Sequence, residues 1–320
     1  MDDAGLIEAV ENALAAGAKL ESREHEDYFS VLRSLTVAQG ADEAVEKVRI
    51  AIDNHPKLEE LRKSFFWPGL SPGGVGILAV HLAHWLVAKA LLQGGDAATA
   101  VNALKEFNEK NEVYGIRVLV AHGAVLEDYI KIDDATWALP FSRIFSSIGT
   151  SQLWRVLSSV GIDGAEVFAL VQRFKMHPAV RSNFEPAPGW TMDHEREFKR
   201  LDYLAYSLAL LPGTAVNVIS RWVDIADIGA VPGLSGGTLG ELNLEILPKR
   251  AFPSPLQLLN PADVIEAVRR FAKLPPGDQG TCYISLHRLA LAATRSRDED
   301  RAIELGVSLE AIFGQDQRGD

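Results

Sequence analysis

Two stretches of helix-spaced apolar residues enclose a middle that has lost this spacing, and the change of period confines the chain to an α+β fold, mostly helical with a small antiparallel sheet in the middle. Leu6, Val10 and Leu14 share a helical face, followed by Tyr28, Leu32 and Leu35 and then by Val45, Val48 and Ile52. Pro56 closes one helix and opens the next, LEELRKSFF. The segment WPGLSPGGVG breaks the pattern, so a connection is expected there. Beyond it, Gly94-Gly95 stops an apolar helix, Asp96 stands where a cap belongs, and Ala97 to Lys110 reads as an amphipathic helix. Residues 1–110 thus form an N-terminal helical region.

After Asn111 the runs Tyr114 to His122, Ala124 to Ile132 and Thr136 to Leu139 are short, β-branched and apolar, and they predict a small antiparallel meander within an α+β region at 111–255. Phe141 to Ile162 and Glu166 to Met176 fit both periods. FEPAPG, Ala230 to Gly240 and Pro248 to Pro255 read as loops, whereas Asp193 to Leu211 is helical. The last region, 256–320, holds three helices: Asp263 to Leu274, Tyr283 to Thr294 and Asp298 to Phe313. In the third, Ala302, Leu305, Leu309 and Ile312 form a stripe that Ile303, Val307 and Phe313 widen, and this stripe is expected to face a core. Asp298, Glu299 and Asp300 sit at the helix's positive end.

Composition excludes several classes. A net charge of −11 over 320 residues disfavours broad attraction to nucleic acid, so an RNA or DNA partner needs evidence from a local site. The single cysteine, Cys282, removes internal disulfides and thiolate metal clusters, as in a reducing compartment. MDDAGLIEAVENALAAG lacks the basic start of a secretory signal, and a cytoplasmic location is expected. Val75 to Leu92 approaches the length of a membrane span, but His81, His84 and Lys89 interrupt it, and a buried core helix is the better reading.

Few residues announce chemistry. His81 and His84 share a helix face at metal-ligand spacing, but core histidines are the commoner outcome, and no cofactor is expected. GLSPGGVG and GLSGGTLG both lack the Gly-Lys-Ser/Thr ending of a phosphate-gripping loop, and there is no G-x-S-x-G elbow. Arg288, Arg295, Arg297 and Arg301 are the one basic concentration of the final third. Arg288 and Arg295, two turns apart, share a face that can meet phosphate or a partner's carboxylates. Together with Arg301 and Glu310 they are the candidate binding residues; the competing reading is a solvated, salt-bridged face.

The segments NPADVIEAVRRF, YISLHRLALAATRS and DEDRAIELGVSLEAIF together resemble the first part of an Apea-like HEPN domain, with Arg288, Leu289, Ala290, Ile303, Leu305, Leu309, Glu310 and Ala311 at the matching positions. The stretch running into ATWALPFSRI also resembles the region that precedes such domains. The resemblance implies a helical domain that often dimerises and in several relatives is a metal-independent ribonuclease. The catalytic signature of those relatives, an Arg followed after four to six residues by a His on a later helix, has no counterpart here, since no His follows His287. Two pairs at that spacing lie elsewhere, Arg49 with His55 and Arg117 with His122, and the offset of the second places its members on opposite faces of a strand. No catalytic residue is therefore assigned. The expectation is a non-catalytic interaction or sensing protein, of a bacterial defence or RNA-related system, that self-associates or binds a protein partner through its C-terminal helices; the alternative is a ribonuclease whose active helix lies beyond this chain.

Overall fold

The computed structural model describes residues 2–16, 41–66, 75–144, 148–177, 179–182, 190–212, 214, 216–225, 231–232, 239–241, 258–295 and 297–314. They fall into two compact units. The first is drawn from Met1–Gly115, Phe174–Pro188 and Asp224–Thr238, and the second from Ile116–Arg173, Gly189–Val223 and Leu239–Asp320. The expected helix around Tyr28, Leu32 and Leu35, and the loops at 67–74, 184–189 and 248–255, lie outside the described residues.

The first unit contains α1 (Asp3–Ala15), α2 (Ala41–Asp53), a 3-10 turn Pro56–Leu58 running into α3 (Glu59–Arg62), α4 (Ala79–Leu92) and α5 (Ala97–Lys110). Its strands β1 (Phe65–Phe66), β2 (Val75–Gly76) and β7 (Val180–Arg181) form a small antiparallel sheet in the order β2-β1-β7. Helix α4 packs against α1, α2 and α5, which is why its sequence is apolar nearly all round: Leu82, Ala83, Trp85, Leu86, Val87, Ala88 and Ala90 are all buried. Among the described residues no helix is long and apolar enough to cross a membrane. Asp96 caps α5 as its position predicts, accepting from the Thr99 backbone N–H at 2.9 Å. Asn111 ends that helix in the left-handed region (φ 45°), and its side chain pairs with both backbone groups of Val180, at 2.8 and 3.0 Å.

The second unit holds most of a six-stranded sheet. Its strands are β3 (Val113–His122), β4 (Ile130–Lys131), β5 (Thr136–Pro140), β6 (Val167–Met176), β8 (Asn217–Ile225) and β9 (Leu239–Glu241), in the spatial order β4-β5-β6-β3-β8-β9. The first residues of β3 and the last of β6 and β8 fall within the first unit. Thus β4, β5 and β6 make the antiparallel meander, and β3 lies beyond β6 rather than beside β4. Of the run Ala124 to Ile132 only Ile130–Lys131 is strand, although Val125 also bridges Leu258. The ambiguous stretches divide into helix α6 (Ile148–Val160) and strand β6. Ile116, Val118 and Val120 pack with Leu153 and Leu157 of α6, so one sheet face and that helix share a core. Helix α7 (Trp190–Ser207) is followed later by α8 (Pro261–Ala272), α9 (Pro276–Thr294) and α10 (Asp298–Phe313). Tyr206 of α7, Phe271 of α8 and Leu286 and Ala290 of α9 form a second cluster.

Gly164 lies directly beneath the Trp154 ring, where a Cβ would overlap the aromatic atoms. Trp154 packs against Phe141 and the α6 core, so it cannot swing away freely. Gly164→Ala is therefore expected to destabilise the protein by about 1–3 kcal/mol, the range for overpacked sites, as read from urea unfolding.

Candidate protein-docking surface

The helices α9 and α10 are antiparallel neighbours whose seam is polar. Ser308 donates to the Ser285 carbonyl at 3.0 Å, and the two hydroxyls lie 2.9 Å apart. Glu304, only 5% exposed, receives Arg288 on one carboxylate oxygen at 2.9 Å and Arg295 on the other at 2.8 Å. A carboxylate buried without such donors would carry a large desolvation penalty, so the clamp dictates which side of α10 faces inward. Burial pushes the Glu304 carboxyl upward, but the hydrogen bonds from Arg295 and Arg288 outweigh it and hold the group below its ordinary value.

With Glu304 and Ser308 inside, the apolar stripe is outside. At 100° per residue the stripe is centred about 130° from Glu304. Leu305 is 42% exposed, Leu309 57%, Ile312 49% and Phe313 72%, so the stripe that sequence reading assigned to a core faces solvent instead. Its period was readable; its direction was not, because the partners that decide it, Arg288 and Arg295, lie sixteen and nine residues away from Glu304. Gly306 lies beside the stripe at mid-helix, and a Cβ there would meet nothing within 4 Å.

The residues singled out for binding are placed as follows. Arg288 and Arg295 are brought together on Glu304, which occupies the guanidinium face expected to meet phosphate. Arg301 joins them by donating to the Arg295 carbonyl at 2.8 Å, and it pairs with Asp298 at 3.4 Å. Glu310 stands apart, exposed, with no ion pair among the described residues. The salt-bridged reading thus describes the three arginines, with Glu304 rather than the Asp298 to Asp300 group as their main counter-charge.

Neither Arg and His pair is brought together. Arg49 bonds Glu46 and Asp53, and His55 lies 3.1 Å from Asp3. Arg117 donates to His194 of α7 at 2.9 Å and to Gln172 at 3.0 Å, whereas His122 lies 3.2 Å from Glu166. Burial lowers Arg117 to about 10, and burial with the Arg117 charge lowers His194 to about 4, so His194 accepts as a neutral ring. His81 is lowered by burial and then by His84, whose Nδ1 lies 2.8 Å from the Val80 carbonyl. Among the described residues no three His, Cys, Asp or Glu groups gather as metal ligands would.

One cluster escaped sequence reading altogether. Tyr206 bonds His287 at 2.8 Å, Tyr283 stacks on His287, and Asp202 of α7 lies 3.8 Å from Arg221. Burial raises the Asp202 carboxyl to about 6 despite the Arg221 charge. No period or motif links these positions, which come from α7, β8 and α9. Protein-family models, curated proteins and solved structures were compared with the chain, and none matches.

Two substitutions separate these roles. Glu304→Gln is expected to cost about 2 kcal/mol at neutral pH through weakened charge-assisted bonds. In the unmodified chain that contribution is fully present above the unfolded Glu pKa of about 4.3 and is lost as pH falls through the lower folded value; urea unfolding from pH 7 to 3 should show this step in the parent and not in the variant. Asp202 has the opposite sign: its raised carboxyl costs stability above pH about 6 and nothing once pH falls below the unfolded value. Asp202→Asn is thus expected to stabilise at pH 7.5 by up to about 3 kcal/mol, the equivalent of a shift of about two pKa units, with the difference vanishing near pH 4, in the same measurement.

Proposed function

We propose that this chain is an interaction protein whose α9 and α10 pair docks another protein chain on the outward stripe of α10. One observation carries the reading: Leu305, Leu309, Ile312 and Phe313 are exposed on a helix whose buried positions are Glu304 and Ser308. The largest apolar patch on a folded monomer, of a few hundred Å², is often a functional one. The salt clamp beneath supports the same reading, since it holds the stripe on a fixed scaffold and so limits the ordering cost of docking. The HEPN resemblance agrees with it, because such domains often dimerise. A bacterial defence or RNA-related setting is supported by that resemblance alone.

Leu305→Lys with Leu309→Lys tests the reading. Both residues are solvent-facing, so the unfolding free energy should move by less than about 1 kcal/mol. Binding of a hydrophobic fluorescent dye, or self-association in sedimentation, should fall by at least half. A monomer whose dye signal is the same before and after the change would overturn the proposal.

A further inference from the structure

We infer that Asp202 of α7 and Arg221 of β8 hold a free α-amino acid with an aromatic side chain, at a site that shares no residue with the α10 stripe. The Asp202 side chain is only 15% exposed, its nearest cation, the Arg221 guanidinium, stands 3.8 Å away, and no hydrogen bond reaches it among the described residues. That separation exceeds a hydrogen bond, so the pair attracts without the directional contact that offsets desolvation. Buried carboxylates with unmet lone pairs are rare in folded proteins, and a donor from outside the chain meets them without rearranging the fold. The Arg221 side chain, 41% exposed, opens the same spot to solvent.

Opposite charges held 3.8 Å apart on separate elements match a ligand that carries both charges side by side. In an α-amino acid three covalent bonds fix the ammonium nitrogen about 2.7 Å from the nearer carboxylate oxygen. Laid against the pair, with its ammonium on Asp202 and its carboxylate on Arg221, it closes a four-cornered ring whose two new sides are charge-assisted hydrogen bonds of about 2.8 Å. A guanidinium has five N–H donors, so Arg221 serves this carboxylate beside its other contacts. A ligand bearing one charge meets only one corner. Tyr203 and Tyr283, both half-buried, pack with ring centroids 5.0 Å apart and supply the shelf for an aromatic side chain. Tyr203 follows Asp202 on α7, and Tyr283 of α9 faces it, since burial and then the Asp202 charge raise the Tyr283 phenol. The other titratable neighbours are Tyr206, raised by burial and by Tyr283 and Asp202, and His287 beyond it, lowered by burial and Arg288. Neither phenol ionises near neutral pH, whereas burial raises Asp202 to about 6 against the Arg221 charge. An ammonium group on that carboxylate returns it to the ordinary range.

The test is isothermal titration calorimetry of the full chain with L-phenylalanine at pH 7.5. One-site binding with a Kd of about 0.1–1 mM is expected. Phenethylamine, which lacks the anion, 3-phenylpropanoate, which lacks the cation, and glycine, which lacks the side chain, should each bind at least about tenfold more weakly. Asp202→Asn, the more stable chain at this pH, should lose at least about tenfold in affinity while folded by circular dichroism, and so should Arg221→Gln. The three analogues act on the unaltered chain, so they decide the matter even where Arg221→Gln does not fold. At pH 5 about nine in ten free Asp202 carboxyls are protonated, so the Kd for L-phenylalanine should weaken about tenfold in the parent and stay unchanged in Asp202→Asn. No saturable heat up to about 10 mM, equal binding of an analogue lacking either charge, or an affinity indifferent to Asp202→Asn overturns the site. Glycine binding as tightly as L-phenylalanine overturns the aromatic shelf and with it the ligand class.

Discussion

A single carboxylate between two guanidinium groups decides which way the last helix faces. Glu304 cannot be turned to the protein interior without donors, and Arg288 and Arg295 supply them only along the α9 seam. Once that pairing is made, helical geometry leaves no freedom: Leu305, Leu309 and Ile312 are carried round to the outside. On the order of 500 Å² of apolar surface left in water forgoes about 10 kcal/mol by area arithmetic, as much as a whole domain's net stability.

The sequence made the elements of the two ends legible because their signals are local. Asp298 to Phe313 is a helix with the bounds its apolar period and acidic start imply, and Asp96 caps α5. The facing of α10 was not legible, because period tells that a stripe exists and not which side of the helix the rest of the fold covers. The middle was harder for a different reason. Strand β8 is buried on both sides along most of its length, so no alternation marks it, and the three residues of β9 sit within a glycine-rich tract that reads as loop. The position of β3 beyond β6 depends on long-range pairing that no window of sequence contains.

The candidate site divides along the same line. Arg288, Arg295 and Arg301 were recognisable as a basic concentration, and the pairing of Arg301 with Asp298 three residues away is local, but the engagement of Arg288 and Arg295 with Glu304 is a tertiary fact. The Tyr206, His287 and Asp202 group, and the Arg117 contact with His194, join residues up to eighty-one positions apart and carry no spacing rule. Buried polar groups of this kind fix the relative rotation of the elements they join, because each must keep its partner.

Asn111 has a consequence for the order in which the chain acquires its shape on the ribosome. Its amide closes the first unit's sheet by gripping Val180, sixty-nine residues downstream, and the intervening segment belongs largely to the other unit. Helices α1 to α5 therefore emerge and collapse before their completing strand exists, and the first unit reaches its final form only after most of the second unit's sheet has been synthesised. A nascent chain halted anywhere between these two residues holds an unfinished edge at β1, the kind of template that invites pairing with a neighbouring molecule.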